Sequence, residues 1–501
     1  MKNKTGVCRA LLLVGMGLMI PCYLFTAGNT LLSPWPLYDR NRLALCLLTP
    51  LCLLLLLLLG RAAKAKVFET HERAVLLGFA AFYFVIQLVM ASALRFTPVT
   101  DLEQCVTAAR RLAQTGAFGD SERSLIYFGR YPHNMGLVYL LAGIFKAADA
   151  LGADELMAAA LVCGLLFSMG LLCAARLCRR LGGAQAQARA LLLFATCLPF
   201  LYCTSELYTD AFSVAFAPMI VFAFLKARDA GSRKERSLWA LLLAVCTFFG
   251  AQIRFPTIIA AIACLIAALF EKRAKLTALL AAPLALVFAV GGSAVNAANK
   301  ANLGAANIAQ NKLPKLHYIA MGLPVQSDEG YGQYGYGGWL IFSTSFDDPQ
   351  ARDEALRQEV VDRAYTLAHH PAQLLSTLSR KNLSTFGRGT FNLNEIFEAD
   401  AHEADNAVKQ AVFENGRFNR AYTHLATAMF VAQMALACIA CIQAIRRRDT
   451  RAAPLFLTLL GAFLFLSIWE TRARYFFQFM MILLCAGAMF ETPSTHAAQK
   501  A

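Results

Sequence analysis

The stretch HNMGLVYLLAGIFKAADA, residues 133–150, decides how often the chain crosses a membrane. Its strongly apolar part is about a dozen residues and contains Lys146, short of the roughly 20 apolar residues a spanning helix needs. If it crossed, the cluster RLCRR (176–180) would lie outside, and later basic clusters would break the excess of Lys and Arg on the cytoplasmic side. An interfacial or re-entrant helix suits the stretch better. Spans are then predicted at about 8–28, 43–60, 74–94, 156–175, 189–205, 211–226, 238–252, 257–270, 276–294, 421–445, 452–468 and 475–490. With the N-terminus inside, the basic clusters Arg61 to Lys66, Arg176 to Arg180, Lys226 to Arg236, Lys272 to Lys275 and Arg446 to Arg451 all fall on the cytoplasmic side. Segments 95–132, 206–210, 296–420 and 469–474 fall outside.

Composition agrees with a chain that lives in lipid. Of 501 residues, 58% are hydrophobic and only 16% charged, with a mean hydropathy of +0.50. A soluble domain carries nearer a quarter charged residues. Backbone polar groups in lipid must be satisfied internally, so the crossings are helices. The expected fold is an all-α polytopic membrane protein of about 12 transmembrane helices, with interfacial helices in the first outer loop. Three parts are expected: a transmembrane module at 1–295, a helix-rich extracytoplasmic region at 296–420, and closing helices at 421–501. The net charge of +15 sits between apolar runs, which argues for a lipid bilayer as partner and against nucleic acid. Most of the 15 cysteines lie inside apolar runs and read as small packing residues, without a disulfide framework.

Acids in the outer loops are the first candidates for chemistry. Asp101 and Glu103 follow the third span, and Glu206 and Asp210 sit on a short outer connection. Each pair has a plain reading as a helix cap, with Thr100 or Asp101 and Thr209 or Asp210 as the capping residue. Yet acids at a membrane boundary are costly, and two pairs on one face point to function. Arg110 and Arg111 are expected to face lipid headgroups from the helix after Asp101. In FGAQIRFPTIIA (248–259), Arg254 is either a snorkelling residue beside a Pro256 turn or a cation for a lipid phosphate. In SIWETRARYFFQF (467–479), Glu470, Arg472 and Arg474 are outer-face exceptions to the charge rule. An anionic ligand or an internal pair would explain them. Arg130, His133 and Asn134 stand together in YFGRYPHNMG (127–136), without a second His at metal spacing. The Gly/Tyr loop DEGYGQYGYGGW (328–339) reads as a linker or as a sugar platform on Tyr or Trp339, and Lys381 and Arg388 read as surface charges. No phosphate-binding glycine loop and no Ser-His-Asp arrangement stands out, so no nucleotide cofactor is indicated.

Taken in order, TDLE (100–103), RYPHNMG (130–136), ELYTD (206–210), RFPT (254–257), HYIAMGL (317–323) and WETRARYF (469–476) resemble the GT-C superfamily of integral-membrane glycosyltransferases. The chain looks most like the family 39 group of protein mannosyltransferases, aminoarabinose transferases and their bacterial relatives. The resemblance implies a polyprenyl-phosphate-linked sugar donor, a hexose or pentose, and an extracytoplasmic acceptor that is a glycan, lipid or protein. It implies transfer with inversion at the outer face of a bacterial plasma membrane. The family's catalytic acid maps onto Asp101 and its second outer-loop acid onto Asp210. Glu103, Glu206, Arg254, Glu470, Arg472, Arg474, Arg130, His133 and Asn134 are the expected substrate-binding residues. A divalent cation on Asp101 and Asp210 is left open, since oxygen ligands suit a hard ion. The chain departs from many relatives in four ways: Leu102 separates the first two acids, a helical hairpin at about 8–60 comes first, Arg254 takes the cationic role where the bacterial pattern before PT often has Lys, and 296–420 is unlike known C-terminal domains. A transporter or flippase of a lipid-linked or anionic substrate, and a glycan ligase or polymerase, are the competing readings. The first predicts mid-membrane acids and an inverted repeat, neither of which is evident.

Overall fold

The computed structural model describes residues 2–35, 37, 41–63, 65–94, 97–119, 121–326, 329–393, 397–398, 406–413 and 416–491. Three helices come first, α1 (Lys2–Leu32), α2 (Arg42–Ala62) and α3 (Ala65–Leu94). The connection between α3 and the next long apolar helix holds α4 (Thr100–Thr115), α5 (Glu122–Arg130) and α6 (Met135–Ala150). Then follow α7 (Glu155–Ala195), α8 (Thr209–Ser213), α9 (Phe216–Asp229), α10 (Arg233–Ile253), α11 (Ile258–Phe270) and α12 (Ala274–Leu303). The polar stretch contains α13 (Ala305–Asn311), α14 (Lys315–Gly322), α15 (Trp339–Thr344), α16 (Pro349–His369), α17 (Pro371–Phe386) and α18 (Ala407–Val412). The chain closes with α19 (Asn419–Arg446), α20 (Ala453–Ile468) and α21 (Met480–Ala488).

Among the described residues, eight helices are long and apolar enough to cross a bilayer, and shorter apolar helices lie at 255–270, 453–468 and 473–488. One of the eight folds back on itself. The backbone of α7 leaves the helical region at Gly182 and at Gly183, whose φ of 74° suits a residue without Cβ. Before that break, Ser168 bonds the Ala80 carbonyl and Arg179 bonds the Phe68 carbonyl, so the limb runs antiparallel to α3. After it, Gln187 meets Glu72 and the Phe194 carbonyl meets Tyr83, so the second limb runs parallel to α3. Counting the two limbs separately brings the apolar passes to the expected dozen or so. The basic connections gather at one end: Arg9 bonds the Arg448 carbonyl, Arg180 pairs with Asp229, and Arg228 pairs with Glu271. The loop after Leu94 therefore lies at the opposite end of α3.

The residues 133–150 form a helix of 16 residues, which rises only about 24 Å. That is less than the roughly 30 Å hydrocarbon core. Its buried Leu137, Val138, Leu141 and Phe145 pack against α4 and α7. One expectation needs correction. Neither acid pair caps a helix: the N-cap positions are Val99 and Tyr208, and no side chain caps either helix. Arg110 stays half exposed and also pairs with Glu155 at the start of α7. The boundary at 295 falls inside α12, which continues to Leu303. Asp348, by contrast, caps α16, accepting from Gln350 and Ala351. Cys438 and Cys441 stand at a C-x-x-C spacing in α19, yet both are buried and unlinked.

The polar stretch is stitched to the membrane helices. Asn29 of α1 donates to the Ser379 carbonyl at 2.7 Å, and Asn382 of α17 donates to Thr26 at 2.8 Å.

Candidate functional site

A cavity of about 990 Å³ opens at the end of the bundle away from the basic connections. Its walls come from α4, α5, α10, α12, α14 and the 469–475 turn. Seven lysines and arginines line it against three carboxylates, so it favours an anion. Of the residues expected from sequence, it gathers Asp101, Glu103, Arg130, His133, Asn134, Arg254, Glu470, Arg472 and Arg474. Asp210 and Glu206 lie behind the wall, buried.

Asp101 is in the first turn of α4, after Thr100 at a φ of 52°. A left-handed threonine is strained, and the strain is sited where the chain turns to present the acid. Because Asp101 does not cap the helix, its oxygens are free for other donors. Tyr127 donates to Oδ1 at 2.8 Å, and Tyr208 approaches Oδ2 at 3.5 Å. Asn134 in turn donates to the Tyr127 hydroxyl at 2.9 Å. Burial, with Asp101 beside them, pushes both phenols up, so they remain donors. His133 lies at the cavity wall, where its enclosed setting lowers its pKa and keeps the imidazole neutral.

Asp210 has a different setting. It was expected beside Asp101 at the chemistry, but its side chain is fully buried and does not reach the cavity. Arg254 Nε lies 3.0 Å from Oδ1 and Arg474 Nε 3.4 Å from Oδ2. Arg254 also donates to Thr209 at 2.7 Å and stacks over the Tyr475 ring at 4.3 Å, while Arg474 lies over the Tyr208 ring at 5.3 Å. One carboxylate thus holds two guanidiniums at the cavity wall, and the trio keeps a positive charge. The neighbouring Glu206 is pushed well up by burial and then by Asp210, so it is neutral. Asp210 and Asp101 do not fit a shared cation, because each has its oxygens turned to other donors. No group of three or more metal-ligating side chains occurs among the described residues.

Glu470 is buried at the cavity wall and bonded by the Tyr475 hydroxyl; burial raises its pKa. Behind it is a residue expected at the surface. Lys381 is fully buried, and its ammonium donates to the carbonyls of Gly322 and Trp469. Burial lowers it to about 7. Thr471 bonds the Gly332 carbonyl at 2.8 Å through its amide and Ser384 at 2.9 Å through its hydroxyl, and Arg472 donates to the Tyr334 carbonyl at 3.2 Å. The 469–472 turn is therefore held by α17 and the Gly/Tyr loop. Trp339 is buried under Arg363 at 4.4 Å and offers no sugar platform, whereas Tyr334 lines the cavity and meets Tyr131 at 3.1 Å. Tyr127, Tyr208, Lys312, Lys315 and Lys381 were not legible as site residues, although Tyr208 lies inside ELYTD and Tyr127 three residues before Arg130.

A family profile described as a conserved hypothetical integral membrane protein matches residues 42–495. The chain belongs to that family. No curated protein matches this member. Among solved structures, it aligns with the crystal structure of ArnT from Cupriavidus metallidurans bound to undecaprenyl phosphate. That alignment covers 83% of this chain and 77% of that one, at 13% identity and a TM-score of 0.36. So distant a likeness carries no argument about this family member, and its site is argued from its own residues.

Proposed function

We propose that the protein is a GT-C type glycosyltransferase, similar to family 39, that moves a sugar from a polyprenyl-phosphate donor to an acceptor hydroxyl with inversion. The observation that carries this reading is that a carboxylate free of capping duty, Asp101, and two guanidiniums clamped from behind, Arg254 and Arg474, face one cavity. A cavity of this volume suits a small headgroup and its acceptor. Little of α12 is buried in the protein, yet its Gly292, Val295 and Asn296 line the cavity. A prenyl chain in the bilayer can therefore lie along the same helix that walls its headgroup. The cavity would open on the extracytoplasmic side of a bacterial plasma membrane, opposite the basic connections.

In this reading, the acceptor oxygen attacks the anomeric carbon from the face opposite the phosphate. The new C–O bond forms as the bond to the phosphate oxygen breaks. Asp101 takes the acceptor proton, and the electron pair leaves on the phosphate. Arg254 and Arg474 meet that growing negative charge, fixed beforehand by Asp210, so little reorganisation is needed. Asp210 is thus a positioning residue. Tyr127, held by Asn134, and Tyr208 orient Asp101. Glu103, Glu470, Arg472 and His133 provide polar contacts to the sugars. Glu206 fills space as a neutral acid beside the clamp.

The test is a transfer assay on the full chain in lipid nanodiscs, with polyprenyl-phosphate sugars of defined anomeric configuration. Release of polyprenyl phosphate with an inverted product is expected. Product of retained configuration, or no release with any hexosyl or pentosyl donor, overturns the proposal.

A further inference from the structure

Taking an arginine out of water without an acceptor is costly, so half-buried guanidiniums are normally paired. This chain follows that rule with one exception among the described residues. Arg189 donates to the carbonyls of Gly60 and Phe490, Arg352 to that of Gln310, and Arg363 pairs with Glu329. Arg130, at the last turn of α5, is half-buried, lines the cavity, and has a buried Nε with no acceptor. Among the described residues it has no carboxylate within the 4.0 Å of an ion pair either. Its backbone carbonyl accepts from the Leu313 amide at 3.3 Å, which brings Lys312 alongside. Lys312 lines the same cavity, also without an ion-pair partner among the described residues. The wall is rigid here: Asn307 donates to the Leu125 carbonyl at 2.8 Å, and α13 packs on α5. These two cations belong to elements that take no part in the Asp210 clamp.

We propose that Arg130 and Lys312 form a second anion subsite, distinct from the Arg254–Arg474 clamp, which takes a phosphate or carboxylate group carried by the acceptor. The proposal rests on the reading that the clamp holds the donor phosphate. The charge balance supports it. A phosphodiester donor brings one negative charge, which the net charge of the clamp already meets. The planar fork of Arg130 is suited to a bidentate anion, with Lys312 as a second, movable charge. The acceptor would then be an anionic glycan or lipid, anchored by that group so that its hydroxyl reaches Asp101.

Inorganic phosphate is the probe. The full chain in nanodiscs is first saturated with undecaprenyl phosphate, and labelled phosphate is then titrated in. One phosphate should still bind. Arg130→Gln and Lys312→Gln should each weaken it by about tenfold, the loss of one charged hydrogen bond, while undecaprenyl phosphate affinity stays unchanged. Lys312 is exposed, so its variant reads the subsite even where Arg130→Gln folds poorly. Absence of phosphate binding once the lipid is in place overturns the subsite. So does equal weakening of lipid and free phosphate in Arg130→Gln, which would give both cations to the donor, as a diphosphate donor requires. If undecaprenyl phosphate fails to bind at all, the donor reading falls, while phosphate binding that depends on Arg130 still stands.

Discussion

Asp101 and Asp210 look alike in sequence and do opposite things in the fold. Each follows a threonine and lies in the first turn of a helix. Asp101 faces a cavity and accepts from tyrosine phenols. Asp210 is sealed behind the cavity wall between two guanidiniums. What separates them is the neighbour each helix start meets. The α4 start leans on Tyr127 of α5. The α8 start packs against the turn that carries Arg474 and against Arg254. An acid at a membrane boundary thus signals function without saying whether it reacts or holds something that does.

Stability should separate the two acids most widely. Asp210→Ala removes the carboxylate shared by two largely buried guanidiniums, so it should cost about 3–5 kcal/mol, read as a large drop in the thermal midpoint in nanodiscs. Asp101→Ala should cost less than about 1 kcal/mol, since it removes a group at a cavity wall. Equal drops would erase the distinction. Next comes donor binding: Arg474→Ala should raise donor KM about 10–100-fold through loss of a charged contact, with acceptor KM little changed. An effect on acceptor alone would break the clamp's assignment to phosphate. Tyr127→Phe removes one hydrogen bond to Asp101 and should lower kcat up to about tenfold, leaving donor KM unchanged. A change in KM alone would mean that Tyr127 touches substrate instead of orienting the acid.

A separate effect, read across pH, concerns Lys381, which ties the 469–472 turn to α17. Its pKa is about 7 in the fold, against 10.5 ordinarily. Between those values the unfolded chain binds one proton more than the folded chain, so stability should rise with pH from 7 to about 10. In Lys381→Met that rise should vanish, as followed by thermal midpoints across the range. The same slope in both proteins would mean that the lysine keeps its proton when buried.

Much of the site could be read from residues that break a local rule. Arg472 and Arg474 stood out as outer-face arginines, Arg254 as a charge interrupting an apolar run, and Asp101 as an acid after a span. All four line the cavity. The residues that escaped break no rule locally. Tyr127 and Tyr208 look like ordinary membrane-boundary aromatics, and Lys381 like any lysine on a polar helix. Their meaning comes from contacts across the chain, such as Lys381 reaching the Trp469 carbonyl. Asp210 was legible as a candidate, but its burial was not, because burial depends on which elements close over it. The fold was easier: apolar length and basic clusters set the passes, and the Gly182–Gly183 turn split α7 between two predicted spans.

The most direct test is the single-turnover transfer rate of Asp101→Asn under saturating donor. The substitution keeps the shape of the side chain and removes its capacity as a base. The rate should fall about 10²–10⁴-fold while undecaprenyl phosphate affinity and thermal midpoint stay at wild-type values. Transfer at the wild-type rate in that variant would contradict the assignment of Asp101 as the base.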